Sequence, residues 1–266
     1  MSLPLTLDRE GPVAVLTVNR PEARNALNGE ELYALFEQHC AALQADMTVG
    51  CAILTGAGTA FSAGGDVKAM RDRAGMFGGG PGEIRARYDT GIQRIPRALW
   101  ELEVPLIAAI NGPAIGAGLD LACLCDIRIA ADDAIFAESF VRLGIVPGDG
   151  GAWLLPRAVG LSRACEMAFT GEAMRAPEAL SCGLVSRVVP GESLMAEARA
   201  LANKIAANPP QVLRWTKRLI REGQNTDLRS VLQMSATFQE LAHRTADHAE
   251  AISAFFEKRP GQWQGR

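Results

Sequence analysis

The sequence predicts an α/β fold in which parallel strands alternate with helices, followed by a helical C-terminal region. In the first part of the chain, short runs of apolar or β-branched residues alternate with segments of helical periodicity. Two of the apolar runs lead into glycine-rich turns, and helical periodicity dominates after about Leu161. The order strand, loop, helix, strand favours β-α-β units with right-handed crossovers.

The first predicted elements are a strand, a helix and a second strand. Residues 13–18 (VAVLTV) are rich in β-branched residues and precede the turn signal at 19–21. Asn28 is predicted to cap a helix that continues to Leu43, because apolar residues recur there at helical spacing. Residues 51–55 form a continuous apolar run, which is typical of a parallel strand covered on both faces.

Further strands are predicted at 106–110, at 127–130 and, later, at 185–189. Residues 194–207 are predicted to form a helix, and long helices then continue to Pro260. The glycine-rich segment 78–82 is predicted to be a mobile surface loop, with a lid over a binding site as the alternative. We therefore expect an α/β core over residues 1–195 and a helical region over 196–266 of the kind that packs on a partner subunit.

Composition excludes several classes of function. The chain of 266 residues has 27 Lys+Arg against 30 Asp+Glu, a net charge of −3, which disfavours nucleic acid as the main partner. No apolar run approaches the roughly 20 residues of a membrane span, and the N-terminus lacks a signal-peptide pattern. Six scattered cysteines indicate reduced thiols rather than a disulfide framework, so the expected location is cytoplasmic, without membrane association.

Histidine chemistry is also disfavoured. The chain has three histidines, and the spacing of His243 and His248 would place them on different sides of one helix rather than at the spacing of a zinc pair. No GxSxG elbow is present for a serine hydrolase. The sequence therefore predicts no metal site and no histidine-assisted nucleophile.

Two turns rich in small residues, 60–66 (AFSAGGD) and 112–118 (GPAIGAG), share a design. Each follows a predicted strand and leads into an apparent helix, so its backbone N–H groups could approach a ligand closely. Two such groups directed into one cleft would form an oxyanion hole for an enolate or a tetrahedral oxygen. Neither turn fits the GxGxxG or GxxxxGK[ST] pattern of nucleotide sites, and structural glycines explain either turn alone about as well.

Five separated motifs, in order along nearly the whole chain, resemble those of the enoyl-CoA hydratase/isomerase (crotonase) superfamily. They are residues 19–27 (NRPEARNAL), 61–68 (FSAGGDVK), 111–126 (NGPAIGAGLDLACLCD), 143–151 (LGIVPGDGG) and 254–260 (AFFEKRP). The resemblance implies a crotonase-like spiral of ββα units with a C-terminal helical trimerisation region, giving homotrimers or dimers of trimers. It also implies an acyl-CoA thioester substrate, with coenzyme A entering as part of the substrate and no permanently bound cofactor.

The resemblance further assigns binding residues by position. The amides of Gly65 and Ala117 would hold the thioester oxygen, although the family usually has glycine at the second place. Contacts to coenzyme A carry over to Arg24, Ala63, Lys68, Phe255 and Lys258, the last two from the C-terminal helix of this chain or of a neighbouring subunit. The cations suit the phosphates of coenzyme A.

The residues at the two acid positions differ from those of a hydratase of this family. A hydratase of this family uses two glutamates to hold one water; here Asp120 occupies the first place and Phe140, which cannot move a proton, the second. Apolar neighbours are expected to raise the pKa of Asp120. Asp149 could reach a ligand or cap a helix, and Glu138 would need a shifted backbone to point inward.

The sequence therefore predicts an enzyme that acts on an acyl-CoA thioester through an enolate, with hydration of a 2-enoyl-CoA as the favoured reaction. Asp120 and Asp149 together could hydrate the double bond, or one acid alone could isomerise it. Residues 143–160 also resemble ring-processing isomerases of the family, which supports isomerisation or another enolate reaction. The alternative from another class is a non-catalytic protein that binds coenzyme A.

Overall fold

A computed structural model describes residues 3–265, which are organised around a six-stranded sheet and a three-stranded sheet. The strands are β1 (Leu5–Glu10), β2 (Val13–Val18), β3 (Cys51–Gly56), β4 (Leu106–Ile110), β5 (Ala114–Ile115), β6 (Ile127–Ala131), β7 (Ile135–Ala137), β8 (Met174–Arg175) and β9 (Arg187–Val189). The larger sheet has the order β1-β2-β3-β4-β6-β9, and the smaller has β5-β7-β8. In the larger sheet, β1 and β2 pair antiparallel and every other pair is parallel.

Twelve α-helices lie in the described part of the chain. They are α1 (Glu30–Ala45), α2 (Val67–Arg71), α3 (Pro81–Thr90), α4 (Arg94–Glu101), α5 (Ala117–Leu124), α6 (Gly151–Val159), α7 (Leu161–Thr170), α8 (Ala176–Ser181), α9 (Leu194–Ala206), α10 (Pro210–Gly223), α11 (Leu228–His243) and α12 (Ala246–Glu257). The predicted α/β alternation and the helical C-terminal region are both present. The division of the chain at 195/196 stays a prediction.

Both faces of the larger sheet are covered, which explains the continuous apolar runs. On β3, Cys51 and Ile53 face α9, whereas Ala52 and Leu54 face the larger core formed with α1, α4 and α5. Alanines one turn apart on α9 let this helix approach the sheet closely. The carboxyl ends of β3 and β4 are thereby held side by side, and the two glycine-rich turns begin there.

Some local expectations were wrong. β1 was not predicted, because as an edge strand paired only with β2 it has a half-exposed, mixed sequence. Helix α1 begins after Gly29, not Asn28, whose side-chain amide instead donates to Asp66 at 2.8 Å. The segment 78–82 is not wholly a loop, since α3 starts at Pro81 and the Gly80 N–H donates to the Glu83 carboxylate at 2.8 Å.

The two C-terminal histidines lie at the junction of two helices rather than on one. His243 ends α11, His248 lies in the first turn of α12, and their rings meet with 3.1 Å between Nδ1 and Nε2. Helix α11 has no buried residue among those described. Among residues 3–265, no helix combines the length and apolar character needed to cross a membrane.

Candidate active site

The two glycine-rich turns are joined to each other by backbone hydrogen bonds. The Ser62 N–H donates to Pro113 at 3.1 Å, and the Ile115 N–H donates back to Ser62 at 3.0 Å. At Gly64, φ is +79°, and a Cβ there would overlap the Ile115 carbonyl oxygen, so only glycine allows this approach. The turn after β3 and the turn after β4 therefore form one rigid unit.

Hydrogen bonds from the side chain of Asn25 stabilise this unit. Asn25 is fully buried, and its amide donates to the carbonyls of Ala57 at 2.8 Å and Ala60 at 2.7 Å. The Ser62 hydroxyl donates to the Asn25 carbonyl at 2.8 Å and accepts from the Gly64 N–H at 3.1 Å. This network explains why asparagine and serine stand at these places in two of the five motifs.

Gly65 and Ala117 both line the same cleft. Ala117 is the first residue of α5, so its N–H group has no partner within the helix. Within residues 3–265, neither amide donates a hydrogen bond to another protein group. The structure therefore brings the two predicted amides to one cleft and leaves both free to bind a ligand oxygen.

The cleft has a volume of about 90 Å³ and mostly apolar walls. Met76, Phe77 and Tyr88 border it from the segment that includes α3, and Phe140 and Asp149 also line it. Sequence reasoning did not identify Met76, Phe77 and Tyr88, because only tertiary packing brings α3 to this position. Asp149 is thus the one of the three acids under consideration that lines the cleft.

Asp120 and Glu138 form a buried cluster with Asp149, and of these three acids Asp149 alone lines the cleft. Asp120 and Glu138 are each 1% exposed, and Asp149 is 7% exposed. A Cβ added at Gly151, the first residue of α6, would overlap both Asp120 Oδ1 and Glu138 Oε1, so the two carboxyls lie against the same glycine. Taken as ionised groups, neither carboxyl has a hydrogen-bond donor among the described residues.

Burial dominates the pKa values of the cluster. Desolvation raises the pKa of Asp149 to about 6. Desolvation and the charge of Asp149 raise the pKa of Glu138 to about 7, although its contact with Asp120 acts in the opposite direction. The pKa of Asp120 is raised well above its usual value, first by desolvation and then by the charges of Glu138 and Asp149. The nearby Gly151 N–H does not make a full hydrogen bond to Asp120, but it partly offsets the rise in this pKa.

The direction of the Glu138 side chain differs from the expectation from sequence. Glu138 does point inward, because it follows β7 directly and begins a short 3₁₀ turn over Ser139–Leu143. Phe140 is also buried, and its ring lies 3.5 Å from where a Cβ of Gly116 would be. The aromatic ring thus occupies the cleft wall, while the additional carboxyl reaches the cluster from two residues earlier.

The residues predicted to contact coenzyme A fall into two groups. Ala63 lines the cleft, and its N–H donates to the Arg24 carbonyl at 2.9 Å. Arg24 and Lys68 are exposed, and Lys68 lies on α2, which follows the glycine-rich turn 60–66. These three residues therefore lie on or beside the segment that carries Gly65.

Phe255 and Lys258 are not brought to this cleft by the single chain. Both are exposed, at or just beyond the end of α12, and Phe255 is 77% exposed. The segment that follows packs against the end of α9 and the loop before β3, since Trp263 donates to Ala207 at 2.9 Å and Gly265 lies against Met47. Among the described residues, no group of three or more His, Cys, Asp or Glu side chains is arranged to hold a metal ion.

Comparison with known proteins agrees with the motifs. The family model described as enoyl-CoA hydratase/isomerase matches residues 8–266. A short-chain-enoyl-CoA hydratase of Clostridium acetobutylicum is 39% identical over 95% of this chain and 94% of its own, and a 1,2-epoxyphenylacetyl-CoA isomerase of Escherichia coli is 37% identical over 97% of each. The crystal structure of an enoyl-CoA hydratase from Bacillus anthracis matches with a TM-score of 0.91 at 34% identity, covering 99% of this chain and 100% of that one. These comparisons confirm the predicted crotonase-like fold.

Proposed function

Because this chain belongs to the enoyl-CoA hydratase/isomerase family, we propose that it is an enzyme that hydrates a 2-enoyl-CoA thioester. The observation that carries the proposal is the geometry of one cleft. Two unpaired backbone amides and one buried carboxyl, Asp149, line it together. This set can stabilise a developing oxyanion and move a proton beside it.

The thioester carbonyl would accept hydrogen bonds from the N–H groups of Gly65 and Ala117. When water adds to the β-carbon, negative charge gathers on this oxygen, and donors already held in place stabilise it without reorganisation. The helix that begins at Ala117 adds partial positive charge at the same point. The rigid connection of the two turns through Ser62 keeps both donors in position before substrate arrives.

Asp149 is proposed as the base that takes a proton from water, and Asp120 as the acid behind it. With a pKa of about 6, Asp149 is ionised at neutral pH, whereas burial and the charges of Glu138 and Asp149 raise the pKa of Asp120 and so favour its acid form. Hydration needs one proton taken from water and one returned to the α-carbon; because Asp120 does not line the cleft, its proton would have to reach the α-carbon through Asp149. The sequence placed these two residues in the mechanism, and the structure supports different protonation states for them.

Isomerisation of a double bond or ring is the second candidate reaction. It is favoured by Phe140 on the cleft wall, because a site with one acid that faces the substrate can shuttle a proton between carbons without water. A relative named as 1,2-epoxyphenylacetyl-CoA isomerase is nearly as similar as the hydratases. Turnover of crotonyl-CoA in water labelled with both ¹⁸O and deuterium separates the reactions: oxygen uptake into product supports hydration, and exchange of deuterium without oxygen uptake supports isomerisation.

Coenzyme A is proposed to enter as part of the substrate, beside Arg24, Ala63 and Lys68, with no separate bound cofactor. Phe255 and Lys258 are proposed to reach the site from a neighbouring subunit, because neither lines the cleft of its own chain and both are exposed. This arrangement requires the homotrimer or dimer of trimers, which sedimentation tests. The cytoplasmic location belongs to the same proposal and is tested by fractionation of cells. Binding of coenzyme A esters with no turnover across a panel of enoyl-CoA substrates would support the non-catalytic alternative.

A further inference from the structure

Glu138 is a buried acid that the proposed reaction does not use. It does not line the cleft, it is 1% exposed, and neither of its carboxylate oxygens has a donor among the described residues. Asp120 lies against the same face of Gly151 and is also 1% exposed. Neither of its carboxylate oxygens has a donor among the described residues. Two ionised carboxylates in such a place would repel each other and lose their hydration without compensation.

No described positive charge compensates the pair. Among residues 3–265, no arginine or lysine makes an ion pair or hydrogen bond to Asp120, Glu138 or Asp149. Arg128 lies near Cys123 of α5, but its guanidinium donates to the carbonyls of Leu184 and Cys125.

The other titratable groups that face the cluster are neutral at physiological pH. Burial raises the pKa of Cys123, on α5, to about 12. Tyr33 from α1 and Tyr88 from α3 face Asp149, and burial raises the pKa of both. A proton held between the two carboxyls is therefore the available way to reduce the negative charge, and it would also give each carboxyl a hydrogen-bond partner.

We propose that Asp120 and Glu138 share one proton across Gly151, and that Glu138 thereby keeps Asp120 in its acid form while Asp149 works as the base. The inference deepens the proposed function and rests on it. Glu138 is a positioning residue in this account, because it acts on the proton of Asp120 and not on the substrate.

The sign of the effect follows from the order of ionisation. Asp149 loses its proton first, with a pKa of about 6, and Glu138 follows at about 7. The negative charge on Glu138 then opposes the ionisation of Asp120. Replacing Glu138 by glutamine removes that charge and adds an amide donor, so Asp120 should lose its proton at a lower pH.

The test is the pH profile of kcat/KM for Glu138→Gln with a 2-enoyl-CoA. We expect the alkaline limb to move down by about one pH unit or more, while the acid limb set by Asp149 stays in place. The matched control is Glu192→Gln, an exposed glutamate far along the chain, which should leave both limbs unchanged. A Glu138→Gln enzyme with a lower rate but unmoved limbs would show a packing role alone and overturn the proposal.

A second measurement needs no turnover. In the unfolded chain, the carboxyls of Asp120 and Glu138 lose their protons near their ordinary pKa of about 4. The folded state keeps these protons to higher pH, so it binds more protons than the unfolded chain above about pH 4. The free energy of unfolding therefore falls as pH rises from about 4 to about 7. Both Glu138→Gln and Asp120→Asn should reduce this fall by about one proton, measured by urea unfolding across pH. Slopes equal to that of the unaltered protein would overturn proton sharing. If no enoyl-CoA is turned over but the slopes change as expected, the proposed function fails and the shared proton stands.

Discussion

Ala117→Pro removes one proposed oxyanion donor at a helix position that tolerates proline. Proline has no N–H group and is well tolerated at the first position of a helix, which is where Ala117 stands in α5. The Ala117 amide makes no hydrogen bond within the described protein, so none is lost. The preceding residue is Gly116, whose backbone at φ +52° needs no side chain to be accommodated.

The expected cost falls on the chemical step. Loss of one of two oxyanion donors typically lowers kcat by about 10²–10³, or roughly 3–4 kcal/mol of barrier. The thioester carbonyl of bound substrate carries less charge than the enolate, so the change in KM should be much smaller than the change in kcat.

The matched control is Ala117→Gly, which retains the N–H group. We expect its kcat to stay within a few-fold of the unaltered enzyme, since a glycine in a helix costs only about 1 kcal/mol of stability relative to alanine. The assay is steady-state hydration of crotonyl-CoA, with competitive binding of a saturated acyl-CoA as the check that the proline ring leaves the cleft open. A proline variant as active as the glycine variant would refute the assignment of Ala117.

Three further outcomes follow from the acid cluster. Asp149→Asn should lower kcat/KM by about 10²–10⁴ and abolish the acid limb of the pH profile. In the unaltered enzyme, this limb rises as Asp149 ionises through about pH 6. An unchanged acid limb would exclude Asp149 as the base. Asp120→Asn should lose most turnover while acyl-CoA binding, measured by calorimetry, persists; full turnover would exclude Asp120 as the acid. Gly151→Ala should destabilise the fold by about 1–3 kcal/mol in urea unfolding, because the added Cβ overlaps two buried carboxyls; unchanged stability would contradict the described packing.

The sequence predicted the parts of the fold that depend on local pattern. The apolar run of β3 and the glycines of the two turns indicated buried parallel strands that end beside one another. The amides of Gly65 and Ala117 were predicted from the resemblance, and the structure places both on one cleft. Edge strand β1 was missed because its mixed exposure leaves no continuous apolar run.

The acid cluster was harder to predict because it depends on side-chain direction at the ends of short elements. Position alone pointed to Phe140, and only the 3₁₀ turn that follows β7 directs Glu138 to the face of Gly151. Likewise, the contribution of Tyr88 to the cleft comes from the packing of α3, on which no local pattern bears. Spacing therefore identified the residue types, and tertiary packing decides which of them meet.

The most direct measurement is a crystal structure with a non-hydrolysable acyl-CoA bound. We predict that the ligand's carbonyl oxygen lies about 2.7–3.1 Å from the nitrogens of both Gly65 and Ala117, with Asp149 as the nearest carboxylate to the α- and β-carbons. A carbonyl oxygen bound elsewhere, or held by one of these amides only, would contradict the account.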